Sequence, residues 1–80
     1  MRRPMVREEI LVDARGHRCP VPTLRLRRAL AEAPVGAWVR LLTDDPLARI
    51  DVPHFLAEVG AELLDTAIVD GTLSFLVAKP

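Results

Sequence analysis

Apolar and polar residues follow different periods along the chain, and the changes of period mark its elements. Ile10, Leu11 and Val12 form a short apolar run within residues 8–13, which predicts a strand buried on at least one face. Gly16 breaks that pattern, and residues 14–18 read as a loop. Over residues 20–33 the spacing becomes helical, because Leu26, Ala29, Leu30 and Ala33 fall at i, i+3, i+4 and i+7 on one face. Pro20 and Pro22 are compatible with a helix start, where backbone N–H groups have no intrahelical acceptor. Pro34-Val35-Gly36 ends this helix.

Residues 37–43, with Trp38, Val39, Leu41 and Leu42, read as a second strand. Val52, Phe55, Leu56 and Val59 supply the buried face of a second helix that stops at Gly60. Asp45 and Asp51 are both N-cap candidates for its start, each followed by a proline one or two residues later. Glu62–Val69 and Thr72–Ala78 read as strands joined by Asp70-Gly71, a strong hairpin signal, with Leu73, Phe75 and Val77 alternating inward.

The order β-α-β-α-β-β predicts an α+β fold. The first β-α-β unit should be a right-handed crossover between parallel strands. Both helices should stack on one face of a four-stranded mixed sheet, giving a two-layer sandwich. Residues 1–7 are expected to be a loose arm and residues 8–80 a single domain.

Composition narrows the function classes. With 11 basic and 11 acidic residues the formal net charge is zero, so no basic patch calls for direct nucleic-acid binding. No apolar run approaches the ~20 residues of a membrane-spanning helix, and the first residues do not form a signal peptide. The single cysteine excludes an internal disulfide, and a free thiol suits a reducing compartment, so the expected location is cytoplasmic. No cofactor or metal is expected, and the expected state is a monomer.

Cys19 is the candidate reactive group. A lone cysteine is often a small buried hydrophobe, but this one lies between a charged loop and a proline-stiffened helix start, off the apolar stripe. It should occupy the N-cap or the residue beside it. The positive end of the helix dipole, with Arg18 next door, should favour the thiolate and lower the thiol pKa.

Three motifs in order carry a family resemblance: Val12-Asp13-Ala14-Arg15-Gly16-His17-Arg18-Cys19-Pro20-Val21-Pro22, Thr43-Asp44-Asp45-Pro46, and Asp51-Val52-Pro53-His54-Phe55. Together they resemble the TusA/SirA family of sulfur-carrier proteins, over about residues 10 to 78. The resemblance implies a sandwich like the C-terminal domain of translation initiation factor 3. It also implies that Cys19 accepts sulfane sulfur as a persulfide from a cysteine desulfurase or rhodanese-like donor and passes it to an acceptor protein thiol, as a sulfurtransferase. Relatives are associated with tRNA thiolation, sulfur oxidation, molybdenum-cofactor supply and selenium metabolism.

Arg18, Pro20, Pro22, His17 and Asp45 are the supporting candidates around Cys19. His17 departs from the family pattern, which more often has an apolar residue there; it is either a solvent-facing loop residue or a proton partner for Cys19. Asp44 and Asp45 are first turn and cap residues, with shaping of the surface near Cys19 as the alternative. His54 reads as structural, Trp38 as core or sheet edge, and Arg25 and Arg28 as a solvated face. Two other function classes stand beside the carrier: a regulatory or RNA-binding module, and a single-cysteine redox sensor.

Overall fold

The computed structural model describes residues 9–80. The arm expected over residues 1–7, and Glu8 at the expected start of the first strand, lie outside the described residues. The elements are β1 (Glu9–Asp13), α1 (Val21–Glu32), β2 (Trp38–Thr43), α2 (Ala48–Val59), β3 (Glu62–Val69) and β4 (Thr72–Ala78).

The strand order is β1-β2-β4-β3, so the last strand inserts at the centre beside β2. β1 and β2 are parallel, while β4 is antiparallel to both of its neighbours, making a mixed sheet. The register aligns residues in rows across it, apolar except for Thr66 on β3. Ile10, Val39, Val77 and Leu63 form one row, and Val12, Leu41, Phe75 and Thr66 the next. Both rows face the helices, because side chains of paired residues share a face.

Leu26, Leu30 and Ala33 from α1 and Ala48, Val52, Phe55 and Leu56 from α2 meet these rows in one core, so both helices cover one side of the sheet. Leu73, Phe75 and Val77 point inward as their alternation predicts. Val59, expected on the buried face of α2, is instead 39% exposed at the helix end. Ala48, one turn before Val52, takes the place in the core that Val59 does not. On the other face of the sheet Arg40 is held by Glu9 and by Ser74 Oγ, both at 2.8 Å.

The start of α2 also differs from expectation. One helix runs from Ala48, and Asp51 lies in its first turn rather than capping it. Three successive i→i+3 bonds, from Ala48, Arg49 and Ile50 to Asp45, Pro46 and Leu47, wind the chain into the helix. Pro53 stands inside the helix and gives no N–H to the carbonyl of Arg49. Gly60, at φ 74°, ends it in the left-handed conformation that glycine adopts without a Cβ clash. Among the described residues no helix is long and apolar enough to cross a membrane.

Candidate functional site

Because β1 and β2 are parallel, the loops that follow them leave from the same end of the sheet. The loop after β1 carries Cys19, and the turn after β2 carries Asp44 and Asp45. The site is built where these two segments meet the first turn of α2.

The cysteine loop begins with a tight turn in which the His17 N–H donates to the Ala14 carbonyl. Gly16, third in that turn, has φ 85°, a conformation that favours glycine. Its N–H donates to both carboxylate oxygens of Asp44, at 3.1 and 3.2 Å. Asp13 fixes the start of the loop by accepting from the Arg15 backbone and guanidinium, and this holds its carboxyl at about 2.

Asp45 fixes the other end. It is buried, with 5% of its surface exposed. One carboxylate oxygen, Oδ2, accepts the backbone N–H of Cys19 at 2.5 Å, and Oδ1 accepts that of Leu47 at 3.0 Å. These two bonds, the one from Cys19 first, hold the Asp45 carboxyl below its ordinary value, aided by the charge of Arg18. A single side chain thus ties the cysteine loop to the entry of α2.

Cys19 is exposed and sits beside Pro20, the N-cap of α1. The Cys19–Pro20 peptide bond is cis. Its thiol donates to Asp51 Oδ2 at 2.7 Å. This contact corrects the expectation of a lowered thiol pKa. The Asp51 carboxylate, by accepting that bond, pushes the thiol above its ordinary value, and partial loss of solvent and the charge of Asp45 push the same way. A full negative charge in contact outweighs a helix end worth about half a charge.

Pro20 and Pro22, both expected to support Cys19 at the helix start, have different surroundings. Pro22 is buried with Leu26 and Leu30 on the inner face of α1. Pro20 is exposed and lines a groove of about 210 Å³ together with Cys19, Thr23, Arg27, Asp51 and His54. The groove runs between the two helices. A second cleft, of about 250 Å³, shares Arg27 and Phe55 with it. The Arg27 guanidinium lies 4.8 Å from the centre of the Phe55 ring.

Arg18 and His17 are exposed beside Cys19. The structure brings the backbone of His17, but not its ring, into the hydrogen bonds that shape the loop. His54, exposed at the groove, faces Glu58 one turn along α2 at 3.5 Å. Arg28 pairs with Glu32, and Arg25 donates to the Asp13 carbonyl, so Arg25 braces the end of β1 rather than standing free in solvent. The residue that sequence reading missed in the site is Asp51. Its position one helical turn before Phe55 was visible, but its role as a neighbour of Cys19 depends on a contact across 32 residues of sequence.

Comparison with known proteins bears on the family and the fold. Residues 10–79 match the family model described as sulfurtransferase TusA. A candidate sulfur carrier protein of Archaeoglobus fulgidus is 40% identical over 67 residues, covering 82% of this chain and 87% of that protein. The sulfur carrier protein TusA of Pseudomonas syringae pv. syringae is 31% identical over 68 residues, covering 85% and 81%. A crystal structure of a SirA-like protein from Desulfitobacterium hafniense matches with a TM-score of 0.76 at 28% identity, covering 85% of this chain and 93% of that one. The family match over residues 10–79, most of the chain, places this protein in the TusA family.

Proposed function

We propose that this protein is a sulfur carrier that takes sulfane sulfur onto Cys19 as a persulfide and delivers it to the thiol of another protein. The observation that carries the reading is an exposed lone thiol, held by its own backbone N–H on a buried aspartate at the mouth of a shallow groove. With no second cysteine in the chain, a persulfide on Cys19 has no internal thiol to expel it as a disulfide.

Loading is a displacement at sulfur. The Cys19 sulfur, deprotonated, attacks the outer sulfur of a persulfide on the donor's cysteine. A new S–S bond forms to Cys19, the donor's S–S bond breaks, and its electron pair stays on the donor sulfur, which takes up the proton. One thiol and one persulfide enter and one of each leave, so no electrons are gained or lost overall. Delivery repeats the step with an acceptor cysteine attacking the outer sulfur on Cys19.

Within this reading Asp45 and Asp44 hold the loop, Pro22 seats α1 under it, and Pro20 forms the wall of the groove beside the sulfur. Arg18 sets the local charge, and His17 marks the outer rim of the loop that a partner meets. Donor and acceptor are proteins, each presenting a cysteine, and the carrier works in the reducing environment of the cytoplasm.

The test is delivery. Protein loaded by a cysteine desulfurase and free cysteine, then separated from both, should transfer labelled sulfur to an added protein thiol. Failure to deliver, with Cys19 found instead in a mixed disulfide, would replace the carrier by a redox sensor.

A further inference from the structure

Asp51 is a second carboxylate at this site, and loop anchoring does not account for it. Asp45 and Asp44 already hold the cysteine loop through backbone N–H groups. Asp51 instead meets the sulfur itself, from a different element, at 2.7 Å. It is half-buried in the first turn of α2, and among the described residues no lysine, arginine or histidine forms an ion pair with it. A carboxylate that is ionised can only accept hydrogen bonds. The sulfur therefore keeps this contact only while it carries a proton, since a thiolate and a carboxylate at that distance repel.

We propose that Asp51 is a positioning residue that keeps Cys19 as a protonated thiol, aimed into the groove between α1 and α2, while the protein is free. The purpose assigned to this rests on the carrier reading, because an exposed carrier sulfur must survive between partners. Thiolates, not thiols, are alkylated and oxidised. Holding the proton guards a lone exposed sulfur until a partner's surface engages Asp51 or displaces its contact.

The other ionisable groups around the sulfur do not replace this role. Asp45, from the turn after β2, adds negative charge in the same direction. Arg18 and His17 on the loop are exposed, and the charge of Arg18 acts on Asp45. Arg27 from α1 is stacked on Phe55, and His54 is paired with Glu58 along α2. Asp51 is the group in hydrogen-bond contact with the sulfur.

The test uses a small alkylating reagent, iodoacetamide, and the ultraviolet thiolate band of the free protein across pH, with no sulfur donor present. In Asp51→Asn the thiolate should appear at lower pH than in wild type. Alkylation at neutral pH should rise by about threefold, less than the gain in thiolate, because nucleophilicity falls with basicity at a slope of about 0.4–0.5. Cys19 in native wild type should also ionise at higher pH than in the same protein unfolded in urea, a comparison that needs no variant. Equal ionisation in native and unfolded protein, or an Asp51→Asn variant that is folded and ionises no earlier, overturns the proposal. Neither readout involves sulfur transfer, so failure of the carrier reading would show separately, as wild type that cannot be loaded.

Discussion

The carboxylate of Asp45 accepts the backbone N–H of Cys19 across 26 residues of sequence, while its other oxygen accepts the N–H of Leu47. The cysteine loop and the start of α2 are therefore tied through one carboxylate. Asp45→Ala should free both N–H groups and let the sulfur drift. A displacement near 1 Å costs about 10²-fold in a positioned reaction, so sulfur delivery should slow by about tenfold or more. Asp45→Asn should fall between, because one amide oxygen cannot serve two donors in this geometry. Delivery assays on folded variants check this; wild-type rates in Asp45→Ala would show the anchor to be irrelevant to transfer.

Stability should depend on pH at both ends of the scale. The Asp13 carboxyl is lowered from 3.8 to about 2, first by the Arg15 guanidinium and backbone, and that of Asp45 is lowered by the Cys19 N–H. A lowered acid stabilises the fold above its unfolded pKa, and that share is lost as pH falls towards its folded one. Urea midpoints should therefore drop between pH 3.8 and about 2, and less so in Asp13→Asn. Cys19 has the opposite sign. Its thiol is raised by Asp51, so its share is present below the unfolded pKa and is lost as pH rises through the folded one. Cys19→Ser should flatten the alkaline limb alone.

Much of this architecture was legible because local pattern and tertiary demand agree. The helical spacing of Leu26, Leu30 and Ala33, and the alternation of Leu73, Phe75 and Val77, each match the face that is buried. Asp70-Gly71 joined its two strands as expected, with φ of 50° and 79°. What failed were readings that rest on one residue's local chemistry. Asp51-Val52-Pro53 has the form of a helix start, yet the i→i+3 bonds after Asp45 begin the helix earlier and carry Pro53 inside. The thiol pKa failed for a related reason. A helix dipole can be inferred from the chain alone, whereas a carboxylate arriving from α2 is known only once the helices pack.

Leu26 tests the packing beneath the site. Its side chain is fully buried between α1 and the sheet. Leu26→Ala should cost about 2–5 kcal/mol through lost transfer energy and the cavity left behind. For a domain with ~5–15 kcal/mol in total, that is a large share of its stability. The urea midpoint should fall steeply with little change in slope. A loss below about 1 kcal/mol would mean that the site collapses around the smaller side chain.

The central claim is that Cys19 bears the travelling sulfur, and intact-protein mass measurement tests it most directly. After incubation with a cysteine desulfurase and cysteine, the protein should gain one sulfur atom, about 32 Da, as expected for a persulfide. A reducing thiol should remove it. Cys19→Ser should remain folded, judged by circular dichroism, and gain nothing. An adduct of that mass on the serine variant, or none on the wild type with a donor known to be active, would contradict the account.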